Sequence, residues 1–209
     1  MYVQDFDMFI FDLEMKSPLI SVILVLFLLP GLSSAQSKGR LCIGPKLGYN
    51  LARVNLSQSS VLHDMAVGLS VDYWLNGVST ISLDIIKSDE GYKVPLATIE
   101  YSYLQIPVTY QTFFGLASEL FQPKFYLGFS PGLLSKAEVN GVDFKDQHTK
   151  AALNLIGGFG TLINLTPRLY LDIDMRGFLG LTGIELQNSN PEPLKNRTMQ
   201  FSAAIRYGI

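Results

Sequence analysis

The sequence predicts an all-β fold: an eight-stranded antiparallel up-and-down transmembrane β-barrel, preceded by a cleavable signal peptide. Three observations lead there. Apolar and polar residues alternate with period two in run after run, turn residues bound each run, and the connections alternate between long and short. Composition agrees. Of 209 residues 48% are hydrophobic and 16% charged, with 18 Gly and 1 Cys, which excludes a disordered chain, a coiled coil and a disulfide scaffold. A net charge of −2 without a clustered basic patch argues against a nucleic-acid partner.

Residues 1–35 read as an N-terminal extension and signal peptide, and 36–209 as the barrel domain. Lys16 precedes an 11-residue apolar stretch, Leu19 to Leu29, interrupted only by Ser21. That is about half the ~20 residues of a membrane-spanning helix. Ser33 and Ala35 supply the small residues that signal peptidase needs, which puts the cut after Ala35. The acidic, aromatic segment before Met15 carries the wrong charge for the basic start of a signal, so Met15 is the expected natural start. The alternative is an N-terminal anchor that stays attached.

The first strand sets Leu41, Ile43, Pro45, Leu47, Tyr49 and Leu51 on one face, and Cys42, Gly44, Lys46, Gly48 and Asn50 on the other. In the second, Met65, Val67, Leu69, Val71, Tyr73 and Leu75 oppose Ala66, Gly68, Ser70, Asp72 and Trp74; Asn76-Gly77 then reads as a hairpin turn requiring positive φ. The third sets Ile81, Leu83 and Ile85 against Thr80, Ser82 and Asp84, and the fourth sets Leu104, Ile106, Val108 and Tyr110 against Gln105, Pro107, Thr109 and Gln111. The fifth follows Pro123, with Phe125, Leu127, Phe129, Pro131 and Leu133 opposite Tyr126, Gly128, Ser130 and Gly132. Leu153, Leu155, Phe159 and Ile163 mark the sixth. The seventh sets Leu169, Leu171, Ile173, Met175, Leu179 and Leu181 against Tyr170, Asp172, Asp174, Arg176 and Gly180. Met199, Phe201, Ala203, Ile205, Tyr207 and Ile209 mark the eighth.

Long polar connections are expected near 52–64, 87–98, 136–150 and 182–197, and shorter ones between, which puts both termini on the periplasmic side. A soluble lipocalin-like periplasmic ligand binder would also alternate, with its apolar face turned inward. Its outer face would then need many Lys and Glu, whereas the non-apolar face here is mostly Gly, Ser, Thr, Ala and Asn, as a narrow lumen requires. Tyr49, Tyr73, Tyr101, Tyr103, Tyr110, Phe125 and Tyr207 fall near strand ends, where aromatic girdles form.

The charges on the lumen face are Lys46, Asp72, Asp84, Asp172, Asp174, Arg176 and Arg206. They can be read as the lining of a narrow ion or small-solute channel, or as a salt-bridge network plugging a lumen that eight strands make just wide enough for side chains; the plug is the favoured reading. Catalysis has little support. His63-Asp64 with Ser59 or Ser60 is the sole nucleophile and base cluster, and His148 with Asp143 and Asp146 lacks a second His or Cys for a metal site. Neither catalytic residues nor a cofactor or metal are expected.

Gly44-Pro45-Lys46-Leu47-Gly48-Tyr49-Asn50 resembles the G-x-K-x-G-x-N opening strand of the PorT-like outer-membrane β-barrel proteins of Bacteroidetes. Tyr103-Leu104-Gln105-Ile106-Pro107 is similar to that family's Y-L-x-I-P strand, and Phe125 to Gly132 to its F-Y-L-G-x-G-P-x strand, with Ser130 where Gly is usual. The chain departs at its end, Arg206-Tyr207-Gly208-Ile209, where such barrels carry a terminal aromatic residue. The resemblance implies the cell outer membrane and a link to secretion, and little chemistry. The expected function is a non-catalytic membrane scaffold or interaction protein, monomeric, embedded in outer-membrane lipid and touching envelope proteins through its outer loops or periplasmic rim.

Overall fold

The computed structural model describes residues 39–54, 60–94, 97–115, 119–143, 145, 149–183 and 195–209. The expected signal peptide, its cleavage site and the Met15 start lie outside them. Ten strands follow in order: β1 (Leu41–Val54), β2 (Ser60–Asn76), β3 (Ser79–Val94), β4 (Ala97–Gln105), β5 (Val108–Phe113), β6 (Phe121–Val139), β7 (Val142–Asp143), β8 (Ala151–Asn164), β9 (Leu169–Gly180) and β10 (Asn196–Gly208). Every pairing is antiparallel, and β1 pairs with both β2 and β10, which closes the sheet on itself.

The ring has eight staves because β4 and β5 form one. Both pair with β3 on one side and β6 on the other. Ile106 and Pro107 interrupt this stave because Pro107 has no N–H for the ladder. The pairing is kept alive by Ile106 N donating to Pro131 O and Asp84 N donating to Pro107 O. β7 is a short addition to β6.

The apolar face points outward. Leu47, Met65, Val67, Leu69, Leu127, Phe129, Leu133, Phe159 and Ile205 are all about half exposed, while their alternating neighbours are buried. A soluble lipocalin-like barrel is therefore excluded, because burying the polar face and leaving this much apolar surface in water would reverse the hydrophobic term. On β1 the outward residues run from Leu41 to Leu51. Ten steps of ~3.3 Å, tilted by ~40°, cover a belt about 25 Å tall.

Several sequence expectations need correction. The segment 87–98 is not a long loop: β3 continues to Val94 and β4 begins at Ala97, paired Val94 to Ala97. Likewise β1 reaches Val54, β2 starts at Ser60 and β6 runs to Val139. A membrane-crossing strand needs only about 9–11 residues, so β2, β3 and β6 extend into a wall above the belt. The wall is mixed in charge, with Lys87 3.7 Å from Asp89 and Lys136 2.8 Å from Glu138. The Glu138 carboxylate holds the Lys136 ammonium above its ordinary value.

Tyr101 and Tyr103 are not girdle residues. Both rings share the inner face with Gln105 by simple alternation, opposite the outward Leu104, and pack with Tyr92, Ile99, Leu134 and Val54. Tyr49, Tyr73, Tyr110, Phe125 and Tyr207 do face outward. Asn76-Gly77 is not a positive-φ turn either: Asn76 pairs with Ser79, leaving Gly77-Val78 as the connection, and Asn76 Oδ1 accepts from Val78 N at 2.9 Å. The positive-φ hairpin is Asn140-Gly141, with φ of 49° and 80°, joining β6 to β7.

Candidate functional site

The structure places Lys46, Asp72, Asp84, Asp172, Asp174, Arg176 and Arg206 together inside the barrel, each almost fully buried. Period-two alternation puts each of them on the inner face of its strand. An eighth side chain joins them. Lys124 on β6 is buried beside Asp172, its ammonium 2.7 Å from Oδ2. With it the network holds four cations and four anions, so this central network is electrically balanced where the seven sequence-derived residues alone would leave an excess acid.

Asp174 is the hub. Its carboxylate is 3.2 Å from Lys46, 3.2 Å from Arg176 and 3.8 Å from Lys124, and it accepts from the Tyr126 hydroxyl at 2.9 Å and the Ser202 hydroxyl at 2.7 Å. Asp84 takes Lys46 at 3.2 Å and Arg176 at 3.0 Å, and accepts from Ser70 at 2.5 Å. Arg206 forks between Asp72 and Asp172, and Gln111 accepts from Lys124 at 3.1 Å. Desolvating ions is costly, and what offsets it here is that each has at least one opposite charge in contact.

Apolar layers lie at either end of this network. Toward the periplasmic turns Trp74 stacks on Phe113 with centroids 4.8 Å apart, beside Cys42, Leu162 and Tyr170. Toward the outer end stand the Tyr92, Tyr101 and Tyr103 rings, with Tyr126, Ile156 and Phe178 forming a further small cluster in the lumen. Gly158 permits this packing, because a Cβ there would come within 2.5 Å of the Tyr126 ring.

Glu90 forms a second polar site, nearer the outer end. It accepts from Ser88 at 2.9 Å, from Thr198 at 3.2 Å, and from the Gln105 and Asn196 amides. Its ligands are neutral donors, unlike those of the central network. Sequence reasoning missed Glu90 because it fell in an expected loop, and missed Lys124 because the fifth run was started at Phe125. Extending the period two back by one residue would have put Lys124 on the Tyr126 face.

The possible hydrolase cluster does not assemble among the described residues. Ser60 Oγ lies 3.5 Å from Lys93 O, and His63 Nδ1 lies 2.9 Å from the Tyr49 hydroxyl on the lipid-facing side. Ser59, Asp146 and His148 lie outside the described residues. No metal-ligating cluster occurs among the described residues. What the arrangement can do chemically is hold eight strands in register and fill the lumen with paired charge.

The sequence matches the outer membrane protein beta-barrel domain over residues 21–206. No curated protein matches it. Among solved structures the chain is similar to Neisserial surface protein A, at 16% identity and a TM-score of 0.58, over 81% of this chain and 98% of that one. It is also similar to OprG of Pseudomonas aeruginosa, at 15% and 0.54, over 84% and 98%. A third is Ail, the attachment invasion locus protein of Yersinia pestis, solved with the heparin analogue sucrose octasulfate, at 15% and 0.50, over 82% and 100%. At such identities the likeness shows the fold.

Proposed function

This chain belongs to the outer membrane protein beta-barrel domain family and is an outer-membrane protein, and from that premise we propose that it works as a monomeric, non-conducting, non-catalytic scaffold that presents its outer wall to an envelope or extracellular partner. The observation that supports this reading is the filled lumen: among the described residues a balanced set of buried ion pairs lies between clusters of packed apolar and aromatic side chains, as a plug requires. Function is then left to the surface. The β2, β3, β4 and β6 wall, carrying Lys87, Asp89, Lys136 and Glu138, offers a rigid polar face of mixed sign beyond the lipid. The attachment invasion locus protein of Yersinia pestis, solved with a heparin analogue, has a similar fold.

The finer reading is a PorT-like role linked to secretion or envelope maintenance, supported by the Gly44 to Asn50, Tyr103 to Pro107 and Phe125 to Gly132 motifs. Residues 15–35 act as the export signal in this reading, with Met15 as the natural start, so the mature protein begins at Gln36, which N-terminal sequencing of the purified protein checks. The deciding experiment is conductance in planar bilayers together with in-cell crosslinking from Lys87 and Lys136. The reading expects a silent bilayer and a crosslinked envelope protein. Discrete conductance steps altered by Asp174→Asn would replace it with the channel.

A further inference from the structure

Glu90 stands outside the charge balance of the central network. It lies on β3 three residues beyond Lys87, in the wall above the belt, and its carboxylate reaches across the lumen to β10, which β1 and β2 separate from β3. The side chain is buried, at 2% exposure, and its four contacts, from Ser88, Gln105, Asn196 and Thr198, are neutral donors. Among the described residues no Lys or Arg forms an ion pair with it. Beyond residue 38 the residues outside that set include no Lys or Arg in sequence, and the chain up to residue 38 joins the barrel at its opposite end. A buried charge without a counter-charge is costly, so the carboxylate gains from any cation that can reach it.

A cavity opens beside this carboxylate. Its volume is about 10 Å³, room for one water-sized particle, and Glu90, Gln105, Thr149, Asn154, Thr182 and Asn196 line it. Two of these amides have capacity to spare. Asn196 is 8% exposed and its Oδ1 accepts no hydrogen bond among the described residues. Asn154 is 6% exposed, and its amide makes none among them either. Buried polar atoms of this kind call for an explanation, and a bound ion is one. The lining offers one carboxylate with amide and hydroxyl oxygens, a set that hard cations take and soft ones do not. The hydroxyls of Ser88 and Thr198 can rotate and the Asn196 amide can turn over, so groups that donate to the carboxylate can also present lone pairs beside it.

We propose that this cavity binds one water-sized hard monovalent cation, sodium, held by the Glu90 carboxylate and the side-chain oxygens of Asn154 and Asn196. One positive charge balances the single carboxylate, where a divalent ion leaves an excess. The ion ties β3 to β8 and β10 across the outer end of the lumen, above the central network. The inference needs the closed barrel alone and stands whether or not a partner docks on the outer wall.

The test uses the folded full-length barrel in zwitterionic detergent at mildly alkaline pH, where a proton competes least with the cation. Sodium chloride is the probe, against choline chloride at equal ionic strength, since choline is too large for the cavity. Binding is read as the rise in unfolding temperature and directly as broadening of the sodium NMR line. Sodium is expected to stabilise saturably, the folded-to-unfolded ratio rising roughly tenfold at about ten times the dissociation constant. Glu90→Gln should abolish the sodium increment. Asn154→Leu, which leaves the four donors of Glu90 in place, should reduce it, whereas a merely structural role for either residue would lower the unfolding temperature equally in both salts. Folding of each variant is checked by its heat-modifiable gel band. Should Glu90→Gln fail to fold, Asn154→Leu and the wild-type sodium titration decide alone. Equal stabilisation by sodium and choline overturns the site, as does a sodium increment that survives the variants. Tighter stabilisation by calcium chloride than by sodium chloride, lost in Glu90→Gln, overturns the monovalent assignment.

Discussion

Replacing Asp174 with Asn removes one charge from the centre of the lumen while keeping the side chain's shape. In the native barrel this carboxylate meets three cations within 4 Å and two hydroxyl donors, with its side chain 1% exposed. The amide still accepts from Tyr126 or Ser202, so what is lost is charge balance: four cations then face three anions in a space that water hardly reaches. Removing one partner of a buried pair costs about 3–5 kcal/mol. At roughly 2–4 °C per kcal/mol for a chain of this size, the unfolding temperature should fall by roughly 6–20 °C. The assay is the temperature at which the fast-running folded band on an unboiled gel converts to the slow one. Lys46 is the natural second site, 3.2 Å from Asp174. Lys46→Met with Asp174→Asn restores balance, and because Asp84 still holds Arg176 at 3.0 Å, the double variant should lose markedly less than the sum of the singles. Strictly additive losses, or no shift in Asp174→Asn, would refute the view that a balanced network fills the lumen.

Other consequences follow from neighbouring features. Lys124→Met leaves Asp172 with Arg206 as its remaining ion-pair partner among the described residues and should lower the same conversion temperature by a similar amount. Glu90→Gln should cost less in thermal melts than Glu90→Ala, since the amide oxygen keeps two of the four neutral donors and a desolvated charge is removed, although the two donors facing the new NH2 lose their acceptor; Glu90→Ala, which orphans all four, should cost about 1–3 kcal/mol. Gly158→Val should reduce the folded fraction in refolding assays, because its side chain meets the Tyr126 ring. Leu47→Arg, at an outward position 56% exposed within the belt, should cost about 2–4 kcal/mol on folding into bilayers.

Much was already determined by the order of residues. Alternation assigns Leu47 to lipid and Lys46 to the lumen, and it does so for nearly every strand, because the side-chain period of a strand is fixed at two and a membrane barrel needs opposite chemistry on its two faces. The absence of charge from the outward face of the belt settled the direction of that face before any coordinates. Strand number was legible for the same reason.

The tertiary structure alone decided the rest. Where β3 ends depends on partners: Tyr92 and Lys93 stay extended because Ile99 and Thr98 pair with them, and nothing in the polar segment 87–98 marks that locally. Tyr101 and Tyr103 face inward because they share the parity of Gln105, which becomes apparent only once β4 is seen to run back to Ala97 against β3. Which acid meets which base is likewise not written in sequence: Lys46 reaches Asp84 over 38 residues and Asp174 over 128. Closure of the ring brings them together, and only then does the central network's charge balance, completed by Lys124, become visible. The pairing of Leu47 with Ala203 arises in the same way, since it belongs to the β1/β10 seam that joins the first strand of the chain to the last.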